Sequence, residues 1–146
     1  MTGRGGFSAV ELAICLAVSA VLVPIAYHFA AAQEDQRALG LWELRVAAEV
    51  DTISEELAFD GHRGPMQSDD VAFAEPGGVV RYAVQDGVLL RQGGSDEGAR
   101  ALASDVARLT PVAGGVDVVF VRALHPESMH EERVFIPVPT TAPEAP

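Results

Sequence analysis

Lysine is absent from this 146-residue chain: all ten basic residues are arginine, set against 21 aspartates and glutamates, for a formal net charge of -11. A surface with that balance repels phosphate backbones, so direct nucleic-acid binding by the bulk of the chain is not expected. Cysteine is nearly absent too. Cys15 stands alone, which excludes an intramolecular disulfide, and it lies in an apolar run where a thiolate is disfavoured, so it reads as a lipid-facing or packing residue.

Catalytic patterns are also missing. His62, His125 and His130 have neither a cysteine partner nor metal-site spacing on an expected helix. The pair in "HPESMHE" has acidic neighbours that could draw a cation, but its proline points to a solvated loop. Asp69-Asp70 reads as a solvated loop, with calcium binding as the alternative. Ser95-Asp96 and Ser104-Asp105 lack a nucleophile elbow, and "PGG" and "AGG" lack the lysine and helix start that phosphate cradling uses. No enzyme and no cofactor is expected.

What the chain does have is a long apolar run. From Phe7 to Ala32 the only strongly polar side chains are Glu11 and His28, with Ser8, Ser19 and Tyr27 as milder exceptions. As a helix this run would extend about 39 Å, more than the roughly 30 Å hydrocarbon slab of a bilayer. A secretory signal would have a shorter apolar core followed by its small-residue cleavage site, whereas Gly5-Gly6 precedes the run. Arg4 ahead of the span and an acidic remainder behind it favour a cytoplasmic N-terminus, with Tyr27 and His28 at the outer interface. Glu11 needs compensation, because an ionised carboxylate deep in hydrocarbon costs about 3 kcal/mol even on lenient insertion scales. A helix start at headgroup depth, where the dipole tolerates an anion, is one source of it.

The residues "GRGGFSAVEL" resemble the processing site of type IV prepilins and type II secretion pseudopilins: a short basic leader ending in glycine, then phenylalanine, then glutamate at the fifth mature position. The resemblance is specific over about the first thirty residues. It implies that prepilin peptidase cuts between Gly6 and Phe7, that the new amine is methylated, and that Glu11 acts in assembly. In physical terms, the Glu11 carboxylate would meet the Phe7 ammonium of a neighbouring subunit, and a paired charge loses much of its burial penalty. Pro24 removes one intrahelical hydrogen bond and is expected to kink or loosen the helix, with a tolerated membrane proline as the bland alternative.

Beyond the run, Leu39, Trp42, Val46, Val50, Ile53 and Leu57 recur at spacings of three and four, which marks one helical face. Glu34, Asp35, Glu43, Glu49, Glu55 and Glu56 fall mainly elsewhere. Phe7 to Phe59 then reads as one helix that Gly40 weakens without ending, and Trp42 reads as a core anchor. "DGHRGPMQSDD" is expected to be a loop, and "VVRYAV" and "VLLRQ" a hairpin about Asp86-Gly87. "GGSDEGARA" should be a flexible connection and Val106 to Val112 a strand, although its spacing also fits a helix. "VDVVFVRAL" should pair with "ERVFIPV" across "HPESMHE".

The expected fold class is α+β: a long N-terminal helix, membrane-embedded then amphipathic, packed on one small antiparallel sheet of four or five strands, as in pilins. The segments are a leader at 1–6, an assembly helix at 7–32, an amphipathic helix at 33–60, an extracytoplasmic head at 61–139 and a flexible tail at 140–146. The order of the head segments resembles minor pilins and minor pseudopilins more than major ones. Paired C-terminal cysteines and a calcium cluster of the major pseudopilin sort are lacking, which puts the main fibre subunit in doubt. The expected partners are prepilin peptidase, other pilins or pseudopilins and, before assembly, inner-membrane lipid. A different class remains open: a single-pass anchored sensor or binding module that is never cleaved.

Overall fold

In the computed structural model, which describes residues 8–67, 70–93, 98–125 and 128–139, the chain divides into units at residues 1–41 and 42–146. One helix, α1 (Ala9–Arg63), contributes to both. In the first unit every residue from Ser8 to Glu34 is exposed, and the helical assignment runs unbroken through Pro24. Gly40 likewise does not end the helix.

The second unit is built on the amphipathic stripe. Trp42, Val46, Ile53 and Leu57 are each at most 1% exposed, so the spacing of three and four does place one face in the core. Strands β1 (Ala72–Glu75), β2 (Gly78–Gln85), β3 (Val88–Gln92) and β4 (Arg100–Ala103) form one antiparallel sheet in that order. Strands β5 (Val106–Val112), β6 (Gly115–His125) and β7 (Ser128–Pro137) form a second. Phe73, Val80, Tyr82 and Leu89 from the first sheet are buried along with Val106, Val116, Val118, Phe120 and Ile136 from the second. Fully burying a side chain of this size contributes about 1.5–3 kcal/mol.

The expectation of one sheet with four or five strands is therefore corrected to seven strands in two sheets. The split falls at Ser104-Asp105, where Asp105 adopts a left-handed φ of 58° and the chain leaves the first sheet for the second. Two short strands carry no alternating pattern in the sequence: β1 reads "AFAE" and β4 reads "RALA". The hairpin about Asp86-Gly87 is present, and both turn residues have positive φ, 51° and 77°, as the tight turn between right-twisted strands requires.

Two loop expectations are also corrected. The helix runs on to Arg63, and Gly64 N–H still bonds the Asp60 carbonyl at 3.0 Å. "HPESMHE" is largely strand, because the β6–β7 ladder continues through Val121↔Glu131, Arg122↔His130 and Ala123↔Met129. Glu131 is exposed on that strand, and polarity alone cannot distinguish the wet side of a sheet from a loop. Val106 to Val112 is a strand, and its Pro111 is accommodated at a sheet edge.

Candidate functional site

The N-terminal end of α1 is held by a reciprocal pair. Ser8 N–H donates to Glu11 Oε2 at 2.9 Å, and Glu11 N–H donates to Ser8 Oγ at 3.2 Å. This is the Ser-x-x-Glu capping arrangement, which satisfies two of the otherwise orphaned amide donors of a helix start. Gly6 and Phe7 lie outside the described residues. From Ser8 to Gln33, Glu11 is the one Asp, Glu, Lys or Arg. Around it Val10, Leu12, Ile14, Leu16, Val18 and Val21 are all exposed. Water does not stabilise a helix that is apolar on all sides; lipid or other helices must cover it. Among the described residues, α1 is the one helix long and apolar enough to cross a membrane. Pro24 sits inside this stretch and cannot donate to the carbonyl of Ala20.

In the second unit three acids of the helix, Asp60, Glu56 and Glu49, bond residues at the sheets. Asp60 continues the apolar stripe three residues beyond Leu57 and is fully buried. Arg91 clamps it with Nε to Oδ2 at 2.9 Å and Nη2 to Oδ1 at 2.7 Å, and the Tyr82 hydroxyl donates to Oδ2 at 2.5 Å. Three donors on one buried carboxylate satisfy it without solvent. Burial, then the hydrogen bond to Asp60 and its negative charge, push the Tyr82 phenol well above its ordinary range. The hydrogen bond to Asp60 pushes the Arg91 guanidinium up, against the desolvation that opposes it. Glu56 joins the group, with Oε2 3.5 Å from Arg91 Nε and Oε1 2.7 Å from Arg100 Nη1.

About two turns earlier in the helix than Glu56, Glu49 accepts from Ser104 N–H at 3.2 Å and from Ser104 Oγ at 3.1 Å. Asp105 accepts from Trp42 Nε1 at 3.1 Å and pairs with Arg45. The edge of one ring of the Trp42–His130 pair meets the face of the other, centroids 5.4 Å apart. Trp42 is thus a core anchor whose indole N–H has a definite partner. Ser104-Asp105 serves as an attachment point, with the serine hydroxyl donated to Glu49.

The remaining candidates are scattered. His62 is exposed in the last turn of α1, His130 is on β7, and His125 ends β6. Asp70 pairs with Arg81 at 3.2 Å. Asp69, Ser95 and Asp96 lie outside the described residues, and Cys15 is exposed on α1. Among the described residues, no three His, Cys, Asp or Glu side chains are gathered as a metal site. The Asp60–Tyr82–Arg91 cluster was missed by motif reading. Its signal was an acid standing in register with an apolar stripe, which calls for a cation from the opposing sheet. Comparison with family models, curated proteins and solved structures returns no match for this chain.

Proposed function

We propose that the chain is a minor pilin or pseudopilin, a structural subunit cleaved by prepilin peptidase after Gly6 that helps to initiate or cap a type IV pilus or type II secretion pseudopilus. Before assembly it resides in the bacterial inner membrane, N-terminus cytoplasmic and head periplasmic. Glu11 carries this reading: a single acid in an apolar surface exposed on every side, five residues after Gly6. On joining a filament the helix exchanges lipid for neighbouring helices, and the Glu11 carboxylate meets the ammonium that cleavage creates on another subunit's Phe7. The unpaired acid is costly in lipid and the paired one much less so, which favours the assembled state and sets its axial register.

A second reading draws on the Ser8–Glu11 box, which satisfies the carboxylate within one chain. In it the protein is a single-pass anchored sensor or binding module, uncleaved and unpolymerised. Mass spectrometry of the membrane-extracted protein separates the two. A mature chain beginning at methylated Phe7 supports the pilin reading, and an intact leader in cells that contain the peptidase overturns it.

A further inference from the structure

Strands β2 and β5 belong to different sheets, and a notch of about 340 Å³ is lined by residues of both. The tight β2–β3 hairpin closes on the hydrogen-bonded pair Gln85↔Val88, so alternation turns the backbone groups of Tyr82 and Val84 away from β3. The β5–β6 hairpin closes in the same way at Val112↔Gly115, which turns Leu109 and Pro111 away from β6. Two outward amides of these strands are spent within the chain. Tyr82 N–H bonds the Val71 carbonyl at 2.8 Å, and Val106 N–H bonds the Gly87 carbonyl at 2.9 Å. Val84 and Leu109, which both line the notch, have no such backbone partner among the described residues. Arg108 lines it too, is exposed, and has no ion pair among the described residues. Asp70 is paired with Arg81 at 3.2 Å and Asp117 on β6 is paired with Arg133, so neither neutralises Arg108.

We infer that the notch binds a carboxylate carried on an extended peptide segment, an aspartate or glutamate of a partner protein. Arg108 supplies the charge, and the outward amides of Val84 and Leu109 add donors. The Asp70–Arg81 pair on the notch wall is balanced, which leaves one net positive charge at the site. Ligand pockets run from about 300 to 1,000 Å³, so a notch at the small end suits one side chain and the peptide beside it. The backbone distinguishes such a peptide from a free anion. In an extended strand a residue's carbonyl points the same way as its amide, so Val84 and Leu109 turn acceptors as well as donors outward. A bare anion meets those carbonyls unfavourably, whereas a peptide flanking the carboxylate offers them N–H groups. The contact needs no two-fold axis, so a neighbour whose helix runs in the same direction can make it. The site lies wholly in the second unit and depends on neither cleavage nor Glu11.

The test titrates the full chain, isotope-labelled in a non-ionic detergent at low salt, with acetyl-Ala-Glu-Ala-amide and with acetyl-Ala-Gln-Ala-amide while amide NMR shifts are followed. The Glu peptide should move the Val84 and Leu109 amides to saturation, and the Gln peptide should need about tenfold more for the same shift. Arg108→Gln should weaken the Glu peptide about as much, whereas Arg122→Gln, the same change of charge elsewhere on the second sheet, should leave it unaltered. Equal response to the two peptides, stationary Val84 and Leu109 amides, or an unchanged affinity in Arg108→Gln overturns the site. An equal loss in Arg122→Gln does so too, because net charge alone would then draw the peptide. Inorganic phosphate should move these amides less than the Glu peptide at equal concentration. A shift as large or larger would assign the notch to a free anion and overturn the peptide.

Discussion

Arg91 holds Asp60 in a two-pronged grip, Nε to Oδ2 at 2.9 Å and Nη2 to Oδ1 at 2.7 Å, and the carboxylate so held has no exposure to solvent. Removing one partner of such a pair strands a buried charge, at a cost of about 3–5 kcal/mol, whereas replacing the whole group by apolar residues is often neutral. Arg91→Met is therefore expected to lower the unfolding free energy by that amount in urea titrations. The triple change Asp60→Leu, Tyr82→Phe, Arg91→Met should destabilise less than Arg91→Met alone, and a larger loss would show that packing, not charge, governs the site.

Tyr82 gives the fold an alkaline limit. Its phenol is raised in the folded state by burial and by the hydrogen bond and charge of Asp60. An unfolded tyrosine releases its proton near pH 10, so above that pH the unfolded state binds fewer protons than the folded one, and stability falls. The contribution is complete below about pH 10 and is lost as pH climbs from there towards the raised folded value. Urea midpoints measured from pH 9 to 11 should fall more steeply for the unmodified chain than for Tyr82→Phe. Parallel slopes would remove the linkage.

At Asp105 the backbone conformation and the side-chain contacts separate cleanly. Its φ of 58° suits Asn, Asp or Gly, and its carboxylate serves Trp42 and Arg45. Asp105→Asn keeps the backbone preference and an acceptor for the indole, and loses only a partly exposed ion pair worth about 1 kcal/mol or less. Asp105→Ala loses the acceptor and adds backbone strain, for a total of about 2–4 kcal/mol. Trp42 fluorescence during unfolding follows both, and equal effects would mean that the ion pair dominates.

Two glycines of α1 and its exit should respond in opposite directions. A Cβ at Gly40 meets nothing within 4 Å, so Gly40→Ala should raise helix stability by about 1 kcal/mol. A Cβ at Gly64 would run into the Ala74 carbonyl, so Gly64→Ala must push β1 away from the helix exit. Thermal melts followed by circular dichroism should show a gain for the first and a marked loss for the second.

Glu11→Gln distinguishes a local cap from an intermolecular pair, since glutamine also completes a capping box but carries no charge. Membrane insertion and helix content should be unchanged in Glu11→Gln, and Glu11→Ala should also still insert. Recovery of both in sheared filaments should drop about tenfold or more, in line with an unpaired buried charge left on the partner amine. Full recovery of Glu11→Gln in filaments would assign the acid to capping alone.

Periodicity made the long helix and its buried face legible, because Trp42, Val46, Ile53 and Leu57 repeat at helical spacing in an otherwise charged stretch. Turn chemistry did the same for the Asp86-Gly87 hairpin. The division into two sheets was not legible, since it depends on Asp105 taking a left-handed conformation that its helix partners Trp42 and Arg45 support from more than fifty residues away in sequence. β1 escaped notice because its four residues draw stability from Met66 bridging to Phe73 and from β2, not from their own composition. Of the candidate residues, Glu11 was legible as an oddity, but the serine that caps it was visible only once the helix start was located.

The polar clamps along α1 have a mechanical consequence. Trp42 and Arg45 hold Asp105, Glu49 holds Ser104, Glu56 holds Arg100, and Asp60 holds Tyr82 and Arg91. They are distributed over roughly 27 Å of helix rise. A tug along the helix axis therefore loads every one of them sideways at the same moment, and they cannot peel apart in succession. Built this way, residues 42–60 of α1 resist being drawn out along their own axis with the combined strength of all the rungs.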